Sequence, residues 1–159
     1  MAKEAKTNAM RFLEKNKIAY TEETYDAKEF TDGVHSAEIL GHDPDRSFKT
    51  LVAVGKSGEH YVYVIPVALE VDFKKAAKAV GEKNVELIHV KDLTKLTGYI
   101  RGGCSPLGMK KSFKTVIHSS CLDYDKIYIS GGRVGLTLEL DPKDLVKVIR
   151  AEVTDIVMD

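Results

Sequence analysis

The 159-residue chain has no tryptophan, only two cysteines and only four prolines, and its 24 Lys plus Arg balance its 24 Asp plus Glu. Two cysteines cannot make the disulfide framework of a small secreted fold. The first residues mix Lys3, Glu4 and Lys6 with no apolar stretch behind them, which excludes a secretory signal. No apolar run approaches the roughly 18 residues that a membrane span needs. A soluble cytoplasmic protein with reduced thiols is therefore expected, with no membrane partner. Balanced charge also argues against a protein that coats DNA through overall basicity, so any nucleic-acid contact must come from a local patch. A chain of this length buries roughly 70% of the surface it exposes when unfolded, enough for one core over residues 1–159 without a metal or a disulfide.

Helical and strand periodicities alternate irregularly. Ala5, Ala9, Phe12 and Leu13 predict an amphipathic helix over residues 4 to 16. Residues 20 to 25 read as a short strand and residues 26 to 33 as a polar turn; Ser36 is placed to cap a short helix that stops at Gly41. Residues 48 to 54 and 61 to 67 are β-branched and aromatic runs around a Gly-containing loop, which predicts a hairpin at the sheet's centre. Asp72 and Gly81 bracket a helix over 73 to 80. A strand over 85 to 90 and a helix over 92 to 97 precede a glycine-rich loop. Strands follow at 115 to 118, 127 to 130 and 136 to 140, then a helix opened by Asp141 and Pro142 and a strand over 153 to 157. Strands outnumber long helices and several are joined by hairpin-length loops, so a doubly wound parallel sheet is not expected. The expected architecture is α/β: one domain with a mixed, curved sheet or partial barrel surrounded by helices.

The most distinctive chemical feature is a run of thirty residues, 93 to 122, without Asp or Glu, although acids at 24 of 159 positions would place four or five there. The run carries Lys95, Arg101, Lys110, Lys111 and Lys114 around the loop Gly102-Gly-Cys-Ser-Pro-Leu-Gly108. Loop amides with nearby lysines can form an anion site, and equally the lysines can be a solvated face. The loop is neither a P-loop, lacking Gly-Lys-Ser/Thr, nor a nucleophile elbow, since Pro106 follows Ser105 directly. Lys49, near the start of an apolar run, either enters a partly buried site or lies at a strand end in solvent. Tyr25 carries the same ambiguity. The five histidines read as surface or packing residues, His35 and His42 included, because they straddle a glycine and a helix end. Cys104 and Cys121 lack C-x-x-C spacing, so neither a metal nor a cofactor is indicated.

Four segments taken together are more specific. Leu13-Glu-Lys-Asn-Lys-Ile18, Phe48-Lys-Thr-Leu-Val52, Gly98-Tyr-Ile-Arg-Gly-Gly-Cys-Ser-Pro-Leu-Gly-Met-Lys-Lys111 and Tyr128-Ile-Ser-Gly-Gly-Arg-Val-Gly-Leu136 resemble, in the same order, the YbaK/EbsC aminoacyl-tRNA deacylases. These in turn are similar to the editing insertion domain of bacterial prolyl-tRNA synthetases. The resemblance implies hydrolysis of the ester joining a wrong amino acid to tRNA, with cysteine on proline tRNA, and also on cysteine tRNA, as the expected substrate. A hydrophobic pocket separates ligands about one methylene apart by only about 10- to 200-fold, which explains why a synthetase needs a second check.

Position by position, the resemblance makes Lys49 the holder of the phosphate or ribose of the terminal adenosine. It gives Gly103 and Ser105 the loop amides that steady the ester oxygen. Tyr25, Gly102, Cys104, Gly131, Gly132 and Thr137 become walls of the aminoacyl pocket, and Arg101, Lys110, Lys111 and Lys114 contacts to tRNA. An aminoacyl ester is already activated, so orientation and amide donors supply much of the acceleration. The family's proposed mechanism uses the substrate's own thiol, releasing a cyclic thiolactone. Prolyl-tRNA synthetase is the implied transient partner, since the chain has no anticodon-binding appendage. Many relatives have Gly-Leu-Asp where this chain has Gly135-Leu136-Thr137, so a neutral hydroxyl replaces a carboxylate here. Two other readings stay open from residues alone: a non-catalytic module that grips the acceptor end of tRNA or a synthetase, and a deacylase or esterase with another preference.

Overall fold

A computed structural model describes residues 5–25 and 33–159. In chain order these form α1 (Asn8–Lys15), β1 (Thr21–Thr24), α2 (Gly33–Leu40), a 3-10 turn at Pro44–Arg46, β2 (Phe48–Gly55), β3 (His60–Pro66), α3 (Phe73–Val80), β4 (Val85–Leu87), α4 (Val90–Thr97), β5 (Lys114–His118), a 3-10 turn at Ser119–Asp123, β6 (Ile127–Ser130), β7 (Leu136–Leu140), α5 (Pro142–Ile149) and β8 (Glu152–Thr154).

The helix ends follow from local chemistry. Thr7 Oγ1 accepts the Met10 N–H at the start of α1, and Asp72 Oδ1 accepts the N–H groups of Lys74 and Lys75 at the start of α3. Asp141 accepts from Lys143 at 2.8 Å ahead of Pro142. Such caps satisfy N–H groups that the first turn cannot pair, each contributing about 1 kcal/mol.

Two sheets result among the described residues, and they do not close into a barrel. A five-stranded sheet has the order β4-β2-β3-β5-β8, with β3–β5 and β5–β8 parallel and the rest antiparallel; a three-stranded antiparallel sheet has the order β1-β7-β6. An isolated bridge from Ser47 to Tyr128 joins them. Strand alternation divides the interior. Val52, Val62, Val64 and Ile117 face a core shared with α1, α5 and the leucines of β7, while Ala53, Tyr63, Ile65 and Val116 face a second core under α3. Because β3 is covered on both faces, its sequence is almost uninterruptedly apolar. Tyr63 donates its hydroxyl to the Ala76 carbonyl at 2.9 Å, tying sheet to helix.

Several boundaries differ from expectation. The opening helix starts at Asn8, after the Thr7 cap. Ser36 lies inside α2 and caps nothing, because that helix begins at Gly33; the turn expected before it falls outside the described residues. The strand expected over 85 to 90 ends at Leu87, because Val90 already begins α4. The last strand covers 152 to 154, and Val157 contributes only a bridge to Val71.

That C-terminal segment is anchored by Lys75, whose Nζ donates to Asp155, the Val157 carbonyl and Asp159 at 2.9–3.0 Å. Buried His118 accepts the Ile156 N–H on Nδ1 at 3.3 Å. Burial holds its pKa below the ordinary histidine value, against the opposing pull of Asp155. The unfolded chain therefore binds this proton more tightly than the folded one, so stability should rise with pH through the window just below the unfolded histidine value of about 6.5. Thermal melts across that window should show the native protein losing stability as pH falls, and His118→Gln should flatten the dependence.

Candidate functional site

The two sheets and the helices between them leave a cavity of about 490 Å³, and its position follows from where pairing along β2 stops. The Val52 carbonyl accepts from Ile88, and Lys56 donates to Asn84, on the β4 side; Ser47 and Gly55 pair with Val67 and Glu59 on the β3 side. By the two-residue alternation of a strand, Thr50 directs its main-chain N–H and C=O to the β4 side. There β4 pairs with residues 53 to 55 only, and the bridge to Tyr128 occupies Ser47. The open stretch between them forms one cavity wall. The others come from α2, the chain from Leu87 to Leu93, the loop at 101 to 104, and the β6–β7 hairpin. The Thr50 hydroxyl is buried without a partner.

Of the expected site residues, Tyr25, Lys49, Arg101, Gly102, Cys104 and Thr137 line this one cavity although they span more than a hundred positions of sequence. Lys49 is half-buried and its ammonium has no ion pair or hydrogen bond among the described residues. The Tyr25 hydroxyl lies 2.9 Å from Ser36 Oγ, and its N–H donates to the Gly135 carbonyl at 2.9 Å. Gly102 has φ 84°, a conformation natural to glycine, which turns the loop into the cavity. The charged members of the wall are Lys49 and Arg101; no carboxylate lines it among the described residues. Its field suits an anion.

Other expected residues lie elsewhere. Ser105 is fully buried, and its Oγ accepts the Leu107 N–H at 3.3 Å, bracing the loop from within. Gly103 packs against backbone: a Cβ there would stand 2.8 Å from Arg133 Cα and 2.9 Å from Val134 N. Gly131 donates to the Leu136 carbonyl and accepts Thr7 Oγ1 at 2.5 Å, while Gly132 lies beside Tyr99 and Thr7. None of these four is a lining residue. Lys110, Lys111 and Lys114 are exposed and also stand apart from the cavity wall, Lys110 running alongside Gly98.

The residue missed in the sequence is His42. It lines the cavity, its Nε2 lies 2.9 Å from Glu23 Oε2, and its ring stacks on Tyr128 with centroids 3.7 Å apart and planes 10° from parallel. Its backbone is fixed from both sides: its N–H donates to Ala37 at the end of α2, and Asp43 immediately afterwards caps the next turn. Glu23 is the cross-strand partner of Thr137. Linear spacing carries no trace of this, since three different elements bring the groups together.

Two outcomes check this geometry. Gly103→Ala should cost about 1–3 kcal/mol in urea unfolding, the usual penalty for forcing atoms into filled space. Cys104, its thiol pushed up to about 12 by burial, and Cys121, pushed up to about 11, should both resist a thiol reagent in the native protein and react at once in denaturant.

The model of the aminoacyl-tRNA editing domain matches residues 28–148. A protein of Enterococcus faecalis provisionally named Cys-tRNA(Pro)/Cys-tRNA(Cys) deacylase EbsC is 45% identical over 152 residues, covering 95% of this chain and 93% of that one. Among solved structures, one described provisionally as a trans-editing enzyme for prolyl-tRNA synthetase superposes with TM-score 0.83 at 22% identity over 96% of both chains. A hypothetical protein superposes with TM-score 0.86 at 24% identity, covering 95% of this chain and 99% of the other. Both structures share the fold described above.

Proposed function

The chain belongs to the aminoacyl-tRNA editing domain family, and from that premise we propose that it is a trans-editing deacylase, acting as one domain over residues 1–159 in the cytoplasm. It cleaves the ester of cysteine misattached to proline tRNA, and also of Cys-tRNA(Cys). The observation that carries this reading is the 45% identity over nearly the whole chain to a protein so named. The cavity supports it with an unpaired, half-buried lysine, an orientation costly to keep unless an anion compensates the charge.

In this reading Lys49 holds the phosphate or ribose of the terminal adenosine. The loop that Gly102 turns into the cavity steadies the ester, with Gly103, whose N–H donates to Ile100, and Ser105 bracing it from behind; Tyr25, Cys104 and Thr137 shape the aminoacyl pocket, and Gly131 and Gly132 support its far wall. Arg101, Lys110, Lys111 and Lys114 meet the acceptor-stem phosphates. The cysteine thiol attacks its own carbonyl, so no protein nucleophile is needed, and alanine or proline lacks the attacking atom. Identity of the tRNA comes from prolyl-tRNA synthetase in a transient ternary complex.

The test is release of labelled amino acid from Cys-tRNA(Pro), Ala-tRNA(Pro) and Pro-tRNA(Pro). Cysteine should be released fast and proline negligibly. Lys49→Ala should lower kcat/KM by about 10- to 150-fold, the equivalent of one charge-assisted hydrogen bond of about 1.5–3 kcal/mol. If all three esters persist, the chain is a binding module and the proposal fails.

A further inference from the structure

Proton transfer is what the deacylase reading leaves unassigned, and this inference rests on that reading. A thiol attacks as its thiolate, so the substrate sulfur must lose a proton before it can reach the carbonyl. Few groups in the cavity wall can take one. Lys49 and Arg101 are cations, Cys104 is a neutral thiol whose burial opposes ionisation, and no Asp or Glu lines the cavity among the described residues. His42 is the imidazole in that wall.

Its geometry is that of a base with an orienting partner. Nε2 lies 2.9 Å from Glu23 Oε2, so the proton of a neutral ring belongs on Nε2, facing the carboxylate, and the lone pair on Nδ1. Stacking on Tyr128 fixes the ring plane. Nδ1 has no hydrogen-bond partner among the described residues. The buried side-chain polar atoms that lack one are Thr50 Oγ1 and Ser120 Oγ, so Nδ1 retains access to solvent.

We propose that His42, oriented by Glu23, is the proton acceptor and donor of the deacylation. Nδ1 takes the thiol proton, and the sulfur forms a bond to the ester carbonyl carbon. The bond from that carbon to the ribose oxygen breaks, and the imidazolium returns the proton to the leaving oxygen. The products are a thiolactone and tRNA with a free terminal hydroxyl, and the ring ends neutral as it began. Glu23 stabilises the imidazolium between the two transfers. The charged and titratable groups around the ring are Glu23 from β1, Tyr128 from β6, Arg46 over the same tyrosine ring at 5.3 Å, Glu139 from β7 at 3.9 Å from Arg46, and Lys49 and Arg101 in the same wall.

The test is single-turnover release from Cys-tRNA(Pro) across the acidic to neutral range for wild type, His42→Asn, His42→Ala with and without added imidazole, and Glu23→Gln. Melting curves are recorded alongside. In wild type the rate should fall on the acid side. His42→Asn should lower kcat by about 10²- to 10⁴-fold with little change in KM and abolish the acid limb. Imidazole should restore part of the rate to His42→Ala. Glu23→Gln should lower kcat with little change in KM, because the ring loses the carboxylate that orients it. A His42→Asn enzyme with wild-type kcat and limb overturns the proposal, as does a change confined to KM. Should the His42 variants fail to fold, a wild-type kcat in Glu23→Gln overturns it. Wild type releasing no amino acid from any ester refutes the deacylase reading itself, so the two failures are distinguishable.

Discussion

The early end of β4 is the constraint on which the site depends. A sheet edge normally invites a neighbour and is paired, shortened or covered. Here that side of β2 is paired through Ala53–Gly55, the Val52 carbonyl accepts from Ile88, the chain is bridged at Ser47, and the main chain of Thr50 between them borders the cavity. β4 is only three residues long because the chain must turn into α4 at Val90. A longer β4 would cover the main chain of Thr50, which now borders the cavity. The opening thus exists because a helix begins where a strand could have continued.

Much of this was legible in the sequence. Asp72 with Gly81, and Asp141 with Pro142, mark helix ends through chemistry that acts within a few residues, and the structure keeps them. The runs in β2 and β3 announced a hairpin because both faces of β3 are covered, which demands apolar residues at every position. Boundaries failed where distant partners decide: Ser36 has cap chemistry but α2 begins earlier, and residues 85 to 90 have strand propensity but only three find an edge. The cavity residues divide in the same way. Lys49 and the glycine loop stand out in composition and in the family motif. His42 is invisible because Glu23, Tyr128 and its own turn belong to separate elements, and no local pattern encodes a meeting that tertiary structure creates.

The electrostatics of the cavity are one-sided. Among the described residues Lys49 and Arg101 stand in the wall, no carboxylate lines it, and Glu23 rests against His42. An arrangement of fixed cations with a single imidazole keeps the field positive while allowing one proton to move. The exposed lysines of the acid-free segment, Lys110, Lys111 and Lys114, add the same sign of charge outside that wall.

The hydroxyl of Thr7 carries a further consequence. It caps α1 and donates to the Gly131 carbonyl, a contact across 124 residues of sequence. During synthesis α1 leaves the ribosome early, yet this partner follows only after roughly 6 to 25 s at ordinary elongation rates. Over that interval Ala9, Met10 and Leu13, the apolar face destined for the core, have no finished surface to cover them. α1 is thus docked well after it is made, and until then the nascent chain must stay soluble on the strength of the charged residues that flank the helix.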